Sequence, residues 1–358
     1  MKKYNHKIFL DNAWALDFFA PRVKKYWPGT KEIVSLKIEL VKVFLDYLRF
    51  TLRYSIFIKN NRGKIEEKKV IVKVERPKNF NWPPRLGRVY KDFTATRFLV
   101  DRGLKKFLPR PLEFYAPLQA YLYEEAEGVT LKNFIRSENW QINKFYKSIP
   151  AIIRALKKVH GVKIKPVYAK GNYKKDIEDG IRQWLDIINK YYPAGSVRAL
   201  EIVKSLEAIK KKYKNILFNR NSYSIIHGDF QNDNIIIGER GKISFIDLAD
   251  SKFFNPLDDL ASFLIQSEMH FKYVRPKNYA ALTEKLKKIV YASYFGKKAK
   301  LQDELQIEFF SAKDILRIIT FISFTQRAWQ TVNDHSKTMD DLLSFAESRI
   351  KNIYKRFL

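Results

Sequence analysis

Cysteine is absent from the 358-residue chain, which excludes disulfides, thiolate metal sites and a cysteine nucleophile. A long hydrophobic run is also missing. The most apolar stretch, residues 315–324 (ILRIITFISF), contains Arg317 and is about half as long as the ~20 residues that a membrane span needs. The N-terminal segment carries Asp11 and Asp17 and has no unbroken apolar core, so we expect no signal peptide. These absences favour a cytoplasmic protein without a membrane-spanning helix.

The composition favours a chain that folds by itself, because 46% of the residues are hydrophobic and 15% are aromatic, and the length has room for two domains. The net charge of +30 would attract nucleic acid, an anionic membrane surface or an anionic substrate. The lysines are scattered in pairs instead of being gathered in one tail, so a general compositional bias explains the charge equally well. No nucleic-acid recognition motif accompanies the basic residues, and no pattern predicts the oligomeric state.

The N-terminal third of the chain has strand-like periodicity. Residues 33–75 contain apolar, alternating runs with a turn at residues 60–64 (NNRGK), which predicts an antiparallel meander. Residues 88–103 repeat apolar side chains every three or four positions and end in Gly103, which is typical of a helix.

Beyond Gly128 the pattern is mainly helical, and one amphipathic helix is predicted to begin at Pro150. The fold class that follows is α+β. We expect two lobes, a small antiparallel β-rich lobe over residues 1–127 and a larger, mainly helical lobe over residues 128–358.

A polar segment between two isoleucine runs carries the candidate chemistry. Residues 225–237 read IIHGDFQNDNIII, which predicts two short strands around a turn, a β-hairpin. Within it, His227, Asp229 and Asn234 have the His-x-Asp-x-x-x-x-Asn spacing of a kinase catalytic loop. Asp247 is the first polar residue after the apolar run ISFI and is placed to share a cation with Asn234. Phosphoryl transfer needs a carboxylate that orients the acceptor hydroxyl and takes its proton, together with oxygen ligands for Mg²⁺.

The segment HGDFQNDN resembles the catalytic loop of the aminoglycoside phosphotransferase and choline kinase family. Residues 245–264 (FIDLADSKFFNPLDDLASFL) are similar to that family's metal-binding Asp and the Pro-x-x-Asp-Leu-Ala segment after it. Upstream, ALKKVH, YLYEEAEG and VIVKVE resemble its preceding helix, its hinge and its phosphate-binding lysine, so the resemblance covers residues 35–265. It implies a protein kinase-like fold and Mg²⁺-dependent transfer of the γ-phosphoryl group of ATP or GTP to a hydroxyl of a small molecule.

The resemblance also implies roles for individual residues. Asp229 would be the catalytic base, Asn234 and Asp247 would hold the metal, and His227 and Asp259 would support the loop. The residues implied to bind the nucleotide are Lys73 at the phosphates, its acidic partner Asp92, and the connector residues Glu124, Glu125 and Ala126, whose backbone would meet the adenine.

Two departures from the family pattern are visible. The family has Glu where this chain has Asp92, one methylene shorter. The family also commonly covers the phosphates with a loop of small residues, whereas the turn here, residues 45–50 (LDYLRF), has no glycine. Backbone amides or Arg49 would then meet the phosphates. Simpler structural roles compete with these assignments: Asp229 as an Asx-turn carboxylate and Lys73 as a solvated strand lysine.

The net charge of the protein affects which class of acceptor is expected. Aminoglycosides are polycations, which a protein of +30 would repel unless its pocket were locally acidic. A sugar, a phosphorylated metabolite or the anionic saccharide of a lipopolysaccharide core fits better, and the last would bring the protein to the inner face of an anionic membrane. The competing functions are a catalytically reduced, kinase-like regulatory or binding protein with a basic surface, and a charge-driven nucleic-acid-binding protein.

Overall fold

A computed structural model describes residues 6–43, 49–75, 87–164, 173–296, 298–329 and 336–357. The chain forms two compact units, Met1–Asp101 with Leu108–Ala126, and Arg102–Phe107 with Glu127–Leu358. The first contains a five-stranded antiparallel sheet and the second is mainly helical, so the predicted α+β class is confirmed. No helix within the described residues is both long enough and apolar enough to cross a bilayer.

The sheet of the first unit includes the meander predicted for residues 33–75. Its strands lie in the order β1-β2-β3-β5-β4, and all neighbours pair antiparallel. Side chains alternate between the two faces along each strand. The strands are β1 (Thr30–Val43), β2 (Arg49–Asn60), β3 (Ile65–Glu75), β4 (Pro111–Tyr115) and β5 (Ala120–Glu124).

The two faces of the sheet are covered by different helices. One face packs against two N-terminal helices, α1 (Asn12–Phe19) and α2 (Val23–Tyr26). These helices were not predicted, although Asp11 is an N-cap signal whose carboxylate accepts a hydrogen bond from the backbone N–H of Ala13 at 2.8 Å. The other face meets α3 (Arg88–Leu99), the helix predicted within residues 88–103.

The second unit is built from long helices and five short strands. Its strands form two small sheets, in the orders β10-β7 and β6-β8-β9. The helices are α4 (Ile142–His160), α5 (Tyr173–Tyr191), α6 (Ser196–Lys212), α7 (Lys214–Leu217), α8 (Leu257–Val274), α9 (Tyr279–Phe295), α10 (Leu301–Trp329) and α11 (Ser336–Phe357). The strands are β6 (Val129–Thr130), β7 (Ser224–Ile226), β8 (Ile235–Ile237), β9 (Ile243–Phe245) and β10 (Lys252–Phe254).

The prediction that a helix begins at Pro150 is wrong, because α4 begins at Ile142 and Pro150 lies inside it. Proline has no backbone N–H, so this position lacks one helical hydrogen bond. The turns before it bury Phe145, Tyr146 and Ile149, and burial of large apolar side chains stabilises the helix on both sides of the proline.

Candidate active site

The polar loop predicted from residues 225–237 connects β7 to β8. These two strands pair with different partners, β7 with β10 and β8 with β9, so the loop joins two small sheets and the paired hairpin is β8–β9. Gly228 makes the turn with a φ of +81°. A Cβ atom there would lie 2.0 Å from the carbonyl oxygen of Asp250, so the close approach of these two backbone segments requires glycine.

Asp259, near the start of α8, holds the beginning of this loop. Its carboxylate accepts hydrogen bonds from the backbone N–H of His227 at 2.7 Å and of Gly228 at 2.8 Å. His160 at the end of α4 contacts the same carboxylate through Nε2 at 3.0 Å. The His227 ring lies 3.0 Å from the carbonyl oxygen of Ile246, which ties the loop to the end of β9. Both His227 and Asp259 are buried, and their contacts fix the backbone that leads into Asp229.

The carboxylate of Asp229 is held on both oxygens. Oδ2 accepts hydrogen bonds from the side-chain amides of Gln231 and Asn234, each at 3.0 Å. Oδ1 lies 3.2 Å from both terminal nitrogens of Arg317 on α10. These contacts fix the orientation of a carboxylate whose side chain is 13% exposed.

Asn234 and Asp247 lie at neighbouring strand ends. The N–H of Ile246 donates to the carbonyl oxygen of Asn234 at 3.0 Å, which places Asp247 one residue beyond this contact. The Nδ2 atom of Asn234 donates to the carbonyl oxygen and Oδ2 of Asp229, so its Oδ1 is oriented away from that carboxylate. Asp247 adopts a left-handed conformation with φ +62°, which is uncommon outside glycine.

These two side chains suit Mg²⁺, which takes hard oxygen ligands and is commonly held by one or two protein groups, with water and phosphate oxygens completing the shell. The described residues contain no group of three or more His, Asp or Glu side chains that would hold a metal by themselves.

A second charged cluster lies beside the loop. Lys313 on α10 and Lys252 on β10 both pair with Asp258, with Lys252 Nζ 3.4 Å from Asp258 Oδ2. Burial works to raise the pKa of Asp258, but the two ammonium groups hold it below its usual value. Burial lowers the pKa of Lys313 in spite of that carboxylate. The ion pair between Asp258 and Lys313 holds the start of α8, next to Asp259, against α10.

In the first unit, Lys73 on β3 and Asp92 on α3 form an ion pair, with Nζ 2.6 Å from Oδ2. The Asp92 side chain is 3% exposed and that of Lys73 is 16% exposed. Lys73 is directly opposite Thr51 on β2 and Tyr121 on β5, so it occupies the middle of the sheet. Asp92 therefore reaches Lys73 although its side chain is one methylene shorter than the Glu of the family pattern. Lys73 is not the solvated strand lysine of the simpler interpretation.

The connector residues Glu124, Glu125 and Ala126 follow β5. The side chain of Glu124 contacts Trp27 and Arg110, and that of Glu125 accepts a bidentate contact from Arg53 with nitrogens at 3.0 and 2.7 Å. The backbone N–H of Glu124 donates to the carbonyl oxygen of Arg110, and that of Glu125 donates to the carbonyl oxygen of Lys69.

The N–H of Ala126 has no hydrogen-bond acceptor among the residues that the structure describes. Arg49 begins β2, but its side chain and most of the preceding turn, residues 44–48, lie outside the described residues.

Sequence reasoning missed two side chains that contact Asp229. Gln231 lies within the loop itself, and Arg317 is 88 positions away along the chain. Asp314 and Arg317 are spaced for contact on one helix face, and Arg317 Nε donates to Asp314 at 2.6 Å. That spacing was readable in the sequence, but nothing there connected α10 with the loop.

Comparison with known proteins identifies the family of this chain. A family model described as the phosphotransferase enzyme family (APH) matches residues 64–283, more than half of the chain. The chain therefore belongs to this phosphotransferase family, as predicted. No curated protein matches it.

Solved structures show the same fold at low sequence identity. A choline/ethanolamine kinase family protein from Mesorhizobium loti is 14% identical, with 96% of this chain and 95% of that chain covered and a TM-score of 0.59. The choline kinase LicA from Streptococcus pneumoniae is 14% identical, with 92% and 98% covered and a TM-score of 0.57. A spectinomycin phosphotransferase in complex with AMP is 12% identical, with 94% and 98% covered and a TM-score of 0.58. The predicted protein kinase-like fold is confirmed.

Proposed function

We propose that this protein is a Mg²⁺-dependent small-molecule kinase that transfers the γ-phosphoryl group of ATP or GTP to a hydroxyl of a sugar or of another neutral or anionic acceptor. The observation that carries the proposal is the arrangement around Asp229. The buried carboxylate of Asp229 accepts a hydrogen bond from the side-chain N–H of Asn234, and the backbone contact between Ile246 and Asn234 brings Asp247 to the neighbouring strand end. Phosphoryl transfer depends mainly on positioning and on compensation of charge, and these groups serve both needs.

Asp229 orients the acceptor. Its carboxylate accepts the hydrogen bond of the acceptor hydroxyl, which aligns the oxygen for attack on the γ-phosphorus. As the new P–O bond forms, the bond between the γ-phosphorus and the bridging oxygen breaks and the nucleoside diphosphate leaves. The hydroxyl proton passes to Asp229 and then to solvent. The Gln231 amide, which now occupies Oδ2, is the contact that the hydroxyl displaces most easily, because Gln231 is only half-buried.

Asn234 Oδ1 and the carboxylate of Asp247 would hold Mg²⁺. When bound, the ion compensates the negative charge on the phosphate oxygens. The contribution of the chain is orientation: the Asn234 amide is locked by its two hydrogen bonds to Asp229, so its oxygen is presented on the opposite side.

Lys73 would bind the nucleotide phosphates, with Asp92 setting the direction of the ammonium group. The N–H of Ala126, which has no acceptor among the described residues, would donate to the adenine, next to the backbone of Glu124 and Glu125. Arg49 or turn amides would take the place of a glycine-rich loop. Support for a nucleotide comes from the spectinomycin phosphotransferase of the same fold, which was solved with AMP. The net charge of +30 fits an anionic acceptor, including an acceptor on an anionic membrane or a lipopolysaccharide-type saccharide.

The test is a phosphate-transfer assay with radiolabelled ATP and GTP against a panel of hydroxyl acceptors. Asp229→Asn should lower turnover by about 10²- to 10⁴-fold, because it removes the proton acceptor and keeps the shape, while nucleotide affinity stays within a few-fold. Asp247→Asn should abolish the Mg²⁺ dependence of nucleotide binding. Asp186→Asn, an exposed aspartate on α5, is the control. Unchanged turnover in Asp229→Asn would refute the assignment.

The second candidate is a kinase-like protein that binds nucleotide without transferring phosphate. It is favoured by the full occupancy of Asp229, whose oxygens accept contacts from Gln231, Asn234 and Arg317. It predicts that Mg·ATP or Mg·GTP raises the melting temperature while no phosphorylated product forms with any acceptor.

A further inference from the structure

A cavity lies among four helices of the second unit, apart from the loop that carries Asp229. Its volume is about 160 Å³, and its walls come from α8, α9, α10 and α11. None of the lining residues lies within residues 225–237, and Asp247 is not among them. The cavity is therefore separate from the candidate active site. It has room for several water molecules or for one small organic molecule.

The charged side chains of this cavity are paired with one another. Arg349 contacts the two buried carboxylates, Glu268 and Glu308, and its Nη1 lies 3.1 Å from Glu308 Oε2. Lys287 Nζ lies 3.6 Å from Glu308 Oε1. The remaining carboxylate, Glu284, is exposed to solvent on α9. Because the two buried acids are balanced by two cations, the cavity requires neither an anion nor a cation as its occupant.

Two hydroxyl groups of the cavity residues are left without a partner. Thr283 Oγ1 and the Tyr291 hydroxyl are buried and have no hydrogen-bond partner among the residues that the structure describes. Each of these residues is only 8% exposed. Burial raises the pKa of Tyr291 above its usual value, so the hydroxyl keeps its proton and can donate. Buried polar groups nearly always have a partner, so these two groups call for an occupant that both donates and accepts.

The simplest occupant is water, which would satisfy both hydroxyls. The cavity is also lined by Leu264 and Ile307, and water gains nothing from contact with their apolar surface. A polyhydroxy compound matches both kinds of wall, because it carries hydroxyl groups and C–H faces in one molecule. It also replaces several ordered waters, whose release is favourable in entropy. Ala280 on α9 lines the cavity and is exposed, so a ligand can enter there from solvent.

We propose that this cavity is a binding site for a small neutral polyhydroxy molecule, a polyol or a monosaccharide. Its hydroxyl groups bind Thr283 and Tyr291, and its C–H groups face Leu264 and Ile307. The site does not depend on the proposed kinase function, because none of these residues takes part in it.

The experiment is a binding measurement on the full chain by isothermal titration calorimetry at neutral pH, without nucleotide. The probes are myo-inositol, glucose and sorbitol, together with gluconate and N-methylglucamine, which resemble sorbitol in shape and carry a negative and a positive charge. We expect saturable binding of at least one neutral probe with a Kd of about 1 mM or below. The charged analogues of sorbitol should bind at least about 5-fold more weakly, because their charge would enter a cavity without a free counter-charge.

Three substitutions assign the binding to the cavity. Tyr291→Phe and Thr283→Val each remove one hydroxyl and should weaken binding by about 5- to 20-fold. Without ligand their melting temperatures should not fall, because the group removed has no partner. Ala280→Phe should abolish binding by obstructing the entrance. Tyr273→Phe is the matched control, since Tyr273 lies on α8 and is 86% exposed. A sugar bound at the candidate active site would be unaffected by all of these substitutions.

The inference is overturned if none of the neutral probes binds, which would leave water as the only occupant. It is also overturned if the charged analogues bind as tightly as sorbitol, or if binding to Tyr291→Phe, Thr283→Val and Ala280→Phe equals that of the control. Should one of these variants fail to fold, the other two still decide the question, because they act at different positions of the cavity.

Discussion

Asp259 holds the backbone of His227 by a 2.7 Å hydrogen bond between two elements that are 32 positions apart in the chain. The same carboxylate also accepts from Gly228 and contacts His160, so one buried side chain fixes the entry to the loop that carries Asp229. Asp259 thus provides an acceptor inside the protein for the backbone N–H groups of His227 and Gly228, and buried polar groups without partners are costly.

Asp259→Ala should lower the free energy of unfolding by about 2 kcal/mol or more, since it leaves the buried N–H of His227 and the part-buried N–H of Gly228 without an acceptor, at about 1–3 kcal/mol for a buried group. Asp259→Asn should cost less, because an amide oxygen still accepts from one of them. Urea denaturation measures both effects, with the exposed Asp186→Asn as control. Equal stability of Asp259→Ala and the control would show that Asp259 does not hold the loop.

Two glycines with left-handed backbone conformations, which lie in different turns, give a second prediction. Gly228 has a φ of +81° and Gly241 has a φ of +75°. A Cβ at Gly228 would lie 2.0 Å from a backbone carbonyl, whereas at Gly241 nothing lies within 4 Å.

Gly241→Ala should therefore cost only the conformational strain, about 1–2 kcal/mol. Gly228→Ala should cost clearly more, because the two backbone segments must separate, and it should also displace Asp229 and lower turnover. The measurements are urea denaturation and phosphate transfer. If the two substitutions cost the same, the close packing at Gly228 is not required.

The parts of the site that could be predicted from sequence are those that local spacing determines. His227, Asp229 and Asn234 lie within one loop, and Asp247 follows the hairpin β8–β9 directly after it. The order and spacing of these residues were sufficient to predict a kinase-like catalytic loop. The expected pairing of Lys73 with Asp92 spans only 19 positions, from the middle of a strand to the buried face of the next helix.

What could not be predicted depends on long-range packing. Arg317 reaches Asp229 only because α10 packs against α8, and no periodicity reports which helices are neighbours. The pairing of β7 with β10 instead of β8 has the same origin, since both are three-residue strands with little pattern of their own. The start of α4 was mispredicted because proline favours the first turn of a helix, but burial of apolar side chains along α4 outweighs that preference at Pro150.

The buried ion pair of the first unit gives a third prediction. Lys73→Met should lower the free energy of unfolding by about 3–5 kcal/mol, because it leaves the charge of Asp92 buried without its main counter-charge. Adding Asp92→Asn to Lys73→Met should recover part of that loss, since no charge is then buried. Urea denaturation of the four-member cycle gives the coupling energy, and nucleotide affinity measured on the same proteins tests the phosphate-binding role of Lys73. Purely additive losses would contradict the pairing.

The last prediction concerns pH and His270 on α8, whose Nδ1 lies 3.5 Å from Nδ2 of Asn232 in the loop. Burial, with a further contribution from the charge of Lys132, lowers the pKa of His270 below its ordinary value of 6.5, although Asp233 opposes this. The folded protein then binds fewer protons at this site than the unfolded chain does. The stabilising contribution is therefore present above pH 6.5 and is lost as the pH falls through the folded-state pKa.

Urea denaturation at several pH values between 7.5 and 5 should show the wild type losing more stability on acidification than His270→Gln, whose amide oxygen can still accept from Asn232 at any of these pH values. Protonation of His270 would turn Nδ1 into a donor facing the Asn232 amide, so transfer activity should fall over the same range in the wild type and less in the variant. Parallel pH profiles for the two proteins would place the acid sensitivity elsewhere in the chain.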